Sequence, residues 1–420
     1  MHNLASANML ALVLGAAAAS SSPTAAFDTP SLVGSSDVSK PNGTKFWFPS
    51  ISIAIPGHPG HVAQHVTLAG DGGWGPAGPE GPCSSASRPQ EFCEQIMLTR
   101  DGGRNYSLVK RASRGTSGNF NGYDDLGTWV PAPKGAPARP GCFDTIVGCN
   151  DCGSMRGGEG GALSRPAFLQ TWCETSDSLR LTANVTSTFR GIPARTNLST
   201  PSQTIVRTAD GHLLLAAYGH TPRTAPPQFT KYIVAFFRSS DQGRSWEYAS
   251  QIGVTPTMPS RIVGPSEPSM ATLADGRVLA VFRLEGGSVH TPLWKAYSSD
   301  HGVTWTEPAE MRGGPGVMYG VWPQLLRLSS SGTLVLSSGR PGIGFWVAAD
   351  AGGEAWAGHD VEAEHSQRLP DDPYTNASGT TSYTGIAEVE PGVVLLTYDK
   401  TGADRTGNIQ KVFAVRITVG

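Results

Sequence analysis

Two stretches decide how this chain is read: Ser239-Ser240-Asp241-Gln242-Gly243-Arg244-Ser245-Trp246 and Ser298-Ser299-Asp300-His301-Gly302-Val303-Thr304-Trp305. Both spell S-x-D-x-G-x-[ST]-W. A looser copy is Thr99-Arg100-Asp101-Gly102-Gly103-Arg104-Asn105-Tyr106, and a degenerate one is Asp350-Ala351-Gly352-Gly353-Glu354-Ala355-Trp356. The pattern suits a hairpin turn. An Asp side chain accepts from nearby backbone N–H groups, a Gly takes the positive φ, and the closing aromatic packs between neighbouring sheets. These Asp therefore read as structural.

A second repeat alternates with the first: an apolar strand, a Gly turn, an apolar strand. Its turn glycines Gly211, Gly276, Gly332 and Gly392 lie 65, 56 and 60 residues apart, and an earlier copy turns at Gly60. A repeat of that length holds four strands, the size of a propeller blade. The expected fold is all-β: a six-bladed propeller of four-stranded antiparallel blades over residues 27–420, with a disulfide-rich insertion at about 75–175.

Composition agrees. Gly (52) and Pro (32) make up one fifth of the 420 residues, and only 16% are charged, for a net charge of −2. That balance supplies no basic footprint for nucleic acid. The Gly residues follow no collagen period, and 10 Trp, 14 Phe and 10 Tyr are too many for a disordered chain. Met9 to Ala19 is an apolar run too short to span a bilayer and placed where a signal peptide's core belongs. Residues 1–26 are expected to be a signal peptide with cleavage after Ala19 or Ala26, and the protein to be secreted, without a membrane span. Six cysteines, Cys83, Cys93, Cys142, Cys149, Cys152 and Cys173, then favour disulfides. The single C-x-x-C has no second pair to make a zinc site. Sequons at Asn42, Asn105, Asn184, Asn197 and Asn376 fit secretion. No cofactor motif and no oligomerisation stripe is visible, so a cofactor-free monomer is expected.

Hairpin symmetry selects the candidate site. Residues symmetric about an antiparallel turn face each other. Glu267 and Arg283 are 16 residues apart around Asp275; Tyr383 and Asp399 are 16 apart around Pro391. Both pairs fall at the open end of a blade's first hairpin, where propeller blades surround the axis. Arg340 follows a strand end at the same level of another blade. The same positions elsewhere hold Ser202, Tyr218, Pro323 and Gly339.

The Asp-turn repeats, Glu267-Pro268-Ser269 with Arg283, Gly339-Arg340-Pro341-Gly342, and Ser382-Tyr383 with Asp399 together resemble the sialidase (neuraminidase) superfamily of Asp-box propellers. The resemblance is strong over roughly residues 200–400 and weak before them. It implies an exo-glycosidase acting on glycans, with Tyr383 as nucleophile, Glu267 as its base, Arg283 and Arg340 as two of three arginines on a sugar carboxylate, and Asp399 as a supporting carboxylate. The chemistry is consistent with the residue types. A phenol of pKa near ~10 needs an adjacent base to attack at neutral pH, a neutral nucleophile is not repelled by an anionic sugar, and Arg forks match a carboxylate.

The pattern breaks in the first blades. Phe46-Trp47-Phe48-Pro49 puts Trp47 where the family has its first arginine. Phe189-Arg190-Gly191-Ile192-Pro193 has an additional Gly and lies too far before Gly211, so Arg190 reads as a surface residue. The family's acid/base Asp has no direct counterpart; Asp71, His65 and His220 are the candidates for its place. Two other functions stay open: a catalytically silent glycan- or protein-binding propeller, and a lyase or related glycosidase using His and Tyr on another sugar.

Overall fold

The computed structural model describes residues 23–420 except 38–48, 68–91, 114–125, 134, 136–138, 148–154, 157–166, 194–195, 199–204, 221–230, 261, 288–289, 314–317, 376–378, 381–382 and 403–408. Among the described residues strands are the dominant element, with one helix, α1 (Val361–Arg368).

The strands form five sheets. Pro49–Ala54, Val62–Thr67, Phe92–Thr99 and Ser107–Ser113 make a four-stranded antiparallel sheet in chain order. Gly264–Thr272 to Ala309–Glu310 and Val321–Arg327 to Trp356–Asp360 each make another. Gly385–Glu390, Val393–Lys400 and Ile409–Val419 form the C-terminal sheet, whose outer edge is closed by the N-terminal strand: Ala25, Ala26 and Phe27 pair with Val419, Thr418 and Ile417. The remaining sheet has ten strands and divides at a parallel seam, where Thr188, Phe189 and Arg190 pair with Ser245, Trp246 and Glu247. On one side of the seam lie Thr128–Val130, Cys142–Val147, Ala167–Glu174 and Leu179–Arg190; on the other, Ile205–Arg207, Leu213–His220, Tyr232–Ser239 and Ser245–Ile252. Repeated four-stranded antiparallel units are consistent with a β-propeller.

The second and third strands of a unit read as unbroken apolar runs because both faces are covered. Leu213–Ala217 is buried without alternation, as are Val278–Phe282 and Leu334–Leu336. Six first strands, represented by Ile53, Trp129, Val206, Ala271, Leu325 and Ala387, line one cavity of about 420 Å³.

The Asp turns do what their residue types require. Asp241 Oδ1 accepts from Ser245 N at 2.8 Å and from Ser239 Oγ at 2.8 Å, while Gly243, at φ +84°, donates its N–H to Ser239 Oγ at 2.9 Å. Asp300 repeats this with Thr304 N (2.8 Å) and Ser298 Oγ (2.9 Å). Asp101 does so with Asn105 N (2.9 Å), and in the degenerate copy Asp350 accepts from Ala355 N at 2.6 Å. These bonds outweigh the opposing effect of burial and hold all four carboxyls below the usual carboxylate range. The aromatic closes the joint. Trp246 is fully buried, stacks on Phe189 of the preceding unit and donates to Gly243 O at 3.1 Å.

The segment expected as a disulfide-rich insertion is, where described, strand material of the first sheets, held by one disulfide, Cys142–Cys173. Cys83, Cys149 and Cys152 lie outside the described residues. The helix was not legible in the sequence. Asp360 caps α1 by accepting from Glu362 N and Ala363 N at 2.9 and 3.1 Å, so the chain turns from the last strand of one unit towards the next. Among the described residues no helix is long and apolar enough to cross a membrane.

Candidate active site

Glu267 lies in the strand Gly264–Thr272, at a bulge. The register runs Ser266↔Arg283 and then shifts before Ser269↔Val281. The cross-strand pairing of Glu267 with Arg283 is thus displaced by one residue, and the bulge re-aims the carboxylate. Glu267, a buried acid, has φ +47°, rare for a side-chain-bearing residue. The following Pro268 disfavours the ordinary helical conformation at this position. Backbone held in a sparsely populated region accumulates at functional sites.

The carboxylate is surrounded by donors. Glu267 Oε2 accepts from the backbone N–H of Trp322 at 2.9 Å. Arg283 places one guanidinium nitrogen 3.4 Å from both oxygens. Tyr383 aims its hydroxyl at Oε1, also at 3.4 Å. Burial raises the Glu267 carboxyl above its ordinary value, while the Arg283 charge and the Trp322 N–H oppose that rise. Burial works against the Arg283 charge in turn, but Glu267 and Glu285 outweigh it and hold the guanidinium above its usual value. Glu285 is 3.4 Å from Arg283 on the open side.

Tyr383 is itself buried and gripped by two neighbours. Trp322 meets its ring edge-on at 5.2 Å, and the Arg340 guanidinium carbon lies 5.7 Å from its ring centre. Trp322 and Arg340 both have positive φ, +49° and +67°. Four residues from three units therefore meet: Glu267 and Arg283 from strands, Arg340 just after Leu334–Gly339, and Tyr383 just before Gly385–Glu390. The arrangement places a base within reach of a phenol and two cations beside the pair. A separation of 3.4 Å is long for a hydrogen bond, and catalytic contacts of this kind tighten when substrate binds.

The other expected residues fare differently. Asp399 is fully buried, two residues beyond Thr397, where the pairing with Gly385 ends, and accepts from Thr380 Oγ1 at 2.7 Å. His65 is buried in Val62–Thr67, opposite Ile51 and Ile96. Its neighbour Gln64 points the other way, towards Ser52 and Thr397, so His65 takes the opposite face of its sheet. His220 ends the strand Leu213–His220, paired with Tyr232 and Asn197; its side chain lies outside the described residues, as does all of Asp71. Arg190 is exposed and 3.5 Å from exposed Glu247, a surface position as expected.

Three contributors were missed. Trp322-Pro323 repeats Glu267-Pro268 in the next unit 55 residues on, and that spacing was the available signal. Tyr232 lies near Glu285 and Glu267, its hydroxyl pushed up by burial and by those two charges. Glu362, in the first turn of α1, stands behind the Arg340 turn: a Cβ on Gly342 would be 3.6 Å from its carboxylate. Burial, with Asp360 and Asp399 adding, pushes Glu362 up to about 7. The central cavity begins at Ser269, two residues beyond Glu267, and continues away from this cluster.

Residues 170–338 match the family model described as a BNR repeat-like domain. No curated protein matches the chain. Among solved structures, a protein of unknown function from Dyadobacter fermentans aligns over 94% of this chain and 99% of its own, at 14% identity and a TM-score of 0.58. An alpha-l-arabinofuranosidase mutant from Fusarium graminearum, in complex with an iminosugar inhibitor, aligns over 93% of this chain and 97% of its own, at 14% identity and TM-score 0.53. The Trypanosoma rangeli sialidase in complex with the inhibitor DANA aligns over 94% of this chain but 60% of its own, at 10% identity and TM-score 0.52. These likenesses are of fold. Residues 170–338 thus match a BNR repeat-like domain and hold the Asp turns at Asp241 and Asp300, and the chain shares its fold with this arabinofuranosidase and this sialidase.

Proposed function

We propose that this chain is a secreted exo-glycosidase of sialidase type, built as a six-bladed propeller, that removes a terminal acidic sugar from glycans. The observation that carries the reading is the buried Glu267 carboxylate, re-aimed by a bulge to within 3.4 Å of the Tyr383 hydroxyl. In this mechanism Tyr383 Oη attacks the anomeric carbon as Glu267 takes the phenol proton. The glycosidic oxygen leaves with a proton from a separate acid, and water then releases the sugar from tyrosine with net retention. Arg283 and Arg340 favour a carboxylate on the substrate and stabilise negative charge on the phenol oxygen. The proton donor is sought among Asp71, His65 and His220. In a secreted chain, cleavage after Ala19 keeps the closing strand Ala25–Phe27, whereas cleavage after Ala26 removes two of its three residues.

A second reading keeps the same site and changes the sugar. Two arginines, Arg283 and Arg340, stand near Tyr383 where a sialic-acid site uses three, and an arabinofuranosidase shares the fold over nearly its whole length. Fluorogenic aryl glycosides, sialosides first, separate the two. Release of sugar that falls at least about 100-fold in Tyr383→Phe supports the mechanism, and the sugar released identifies the substrate. A folded protein that turns over no glycoside refutes both and leaves a glycan-binding propeller.

A further inference from the structure

The turn between the first two strands of the first sheet carries His58-Pro59-Gly60-His61. It lies at the end of its hairpin opposite the level of Glu267 and Tyr383. Both imidazoles converge on one carboxylate from the neighbouring unit. His58 Nδ1 is 2.7 Å, and His61 Nδ1 2.9 Å, from Glu174 Oε2. The two rings are 5.2 Å apart, and the three ligand atoms lie within 4.8 Å of one another. Glu174 closes the strand Ala167–Glu174 directly after Cys173, whose disulfide to Cys142 fixes that strand end.

The geometry points to a divalent transition-metal site, of zinc type, formed by His58, His61 and Glu174. The charge balance argues for it. Arg100 Nε already donates to the other oxygen, Glu174 Oε1, at 2.5 Å, so the acid has its counter-ion without either histidine. Both Nδ1 atoms converge on Glu174 Oε2, His61 Nδ1 lying also 3.0 Å from Oε1, and a cation between them would use both nitrogen lone pairs and the carboxylate at once. Carboxylate ligands of metals are commonly held by a further donor on their free oxygen, the place Arg100 takes. Two imidazoles and one carboxylate, with no thiolate, suit zinc. Bonds of about 2.0–2.1 Å in a tetrahedron separate ligand atoms by roughly 3.3 Å, so nitrogens now at 2.7 and 2.9 Å need move only by about half an ångström.

The frame is built in advance. Gly57 and Gly60 hold φ of +75° and +78°. Ile55 N bonds His61 O at 2.9 Å, and Gly141 N bonds Pro56 O at 2.8 Å, tying the turn to itself and to the next unit. Glu174 is almost fully buried, while His58 and His61 keep 38% and 25% of their side chains exposed, which leaves a face open for a water as fourth ligand. A metal there joins two units at the end away from the candidate active site, so its role is structural and separate from the proposed hydrolysis.

The test is a Zn²⁺ titration of the untagged, chelator-treated full chain, read by calorimetry and by the thermal midpoint. The expected result is one equivalent bound and a raised midpoint, with affinity about tenfold or more weaker in His58→Ala and in His61→Ala. Both variants leave the Glu174–Arg100 pair intact, so folding is preserved. Co²⁺ in place of zinc should give the visible absorption of a tetrahedral site. A wild-type midpoint unmoved by zinc, or a rise that the His58→Ala/His61→Ala double variant retains, overturns the proposal.

Discussion

Glu267→Gln separates the catalytic reading of the Glu267–Arg283 pair from a merely structural one. The substitution conserves volume and leaves an acceptor for Trp322 N–H, the one short bond the carboxylate makes, at 2.9 Å. Two larger effects oppose each other. Burial disfavours the ionised carboxyl, so neutralising it removes an electrostatic cost of folding at neutral pH. Arg283 loses a partner, but at 3.4 Å, and it keeps Glu285 at the same distance. Each effect is on the order of 1–2 kcal/mol, so the net change in stability is within about 1 kcal/mol. For a chain of this length that is a midpoint shift of about 2 °C or less. Catalysis has no such compensation. An amide cannot take the Tyr383 proton, and loss of a general base costs about 10²- to 10⁴-fold in kcat/KM, or roughly 3–5 kcal/mol of transition-state stabilisation. The sign of the pH effect also follows. The wild-type activity limb assigned to Glu267 should lie above an ordinary carboxylate's range, and the Gln variant should lack it. The assay pairs thermal unfolding with hydrolysis of the best aryl glycoside across pH. A variant that unfolds several degrees lower yet hydrolyses at the wild-type rate per folded molecule would falsify the assignment and leave a structural ion pair.

The remaining predictions concern the frame. Trp246→Ala empties a fully buried site and strips the donor from Ser187 Oγ and Gly243 O, bonded at 3.2 and 3.1 Å; it should cost about 3–5 kcal/mol in urea unfolding. Trp305→Ala should cost less, since that ring is only part-buried and makes one such bond, to Ser250 Oγ at 3.1 Å; the reverse order would contradict the packing argument. Thermal midpoints against pH should show two limbs. The carboxyls of Asp101, Asp241, Asp300 and Asp350 are depressed, so their stabilisation is present above their unfolded value of 3.8 and is lost as pH falls through the folded values. Glu362, raised to about 7, acts oppositely: its contribution is full below 4.5 and declines as pH climbs towards 7. Glu362→Gln should flatten that upper limb and leave the acid limb unchanged; an unchanged upper limb removes Glu362 from the explanation.

How much was legible depended on whether a signal was local. The Asp turns were, because Asp241 accepts from the Ser245 backbone and the Gly243 N–H donates to Ser239 Oγ, each within four residues, and the same letters then force the same geometry at Asp300 and Gly302. The apolar hairpins were legible for the same reason. Meeting points between units were legible only through symmetry. Turn counting brought Glu267, Arg283, Tyr383 and Arg340 to one level, and the structure brings them together. It could not see the bulge at Glu267, because the additional residue shows in the register alone. The helix α1 escaped because its eight residues carry no strong apolar stripe; only its Asp360 cap marks it. Nor could sequence pair His58 and His61 with Glu174, which lies more than 110 residues away and depends on how two units abut.

The bulge also explains why Glu-Pro and Trp-Pro matter more than either residue alone. Val321↔Gly339 shifts before Gln324↔Ser337 just as Ser266↔Arg283 shifts before Ser269↔Val281, so Trp322 occupies in one unit the kink that Glu267 occupies in the unit before it. Each kink turns its residue's backbone to positive φ ahead of a proline that keeps the strand from closing over it. The two kinks then engage each other: the amide of Trp322 faces the Glu267 carboxylate at 2.9 Å, and its ring braces Tyr383. Glu267 and Tyr383, the proposed base and nucleophile, are thus positioned by the same neighbouring residue, through its backbone on one side and its side chain on the other. Distortion that appears as a local defect in each strand is, across the two units, what aligns the Glu267–Tyr383 pair.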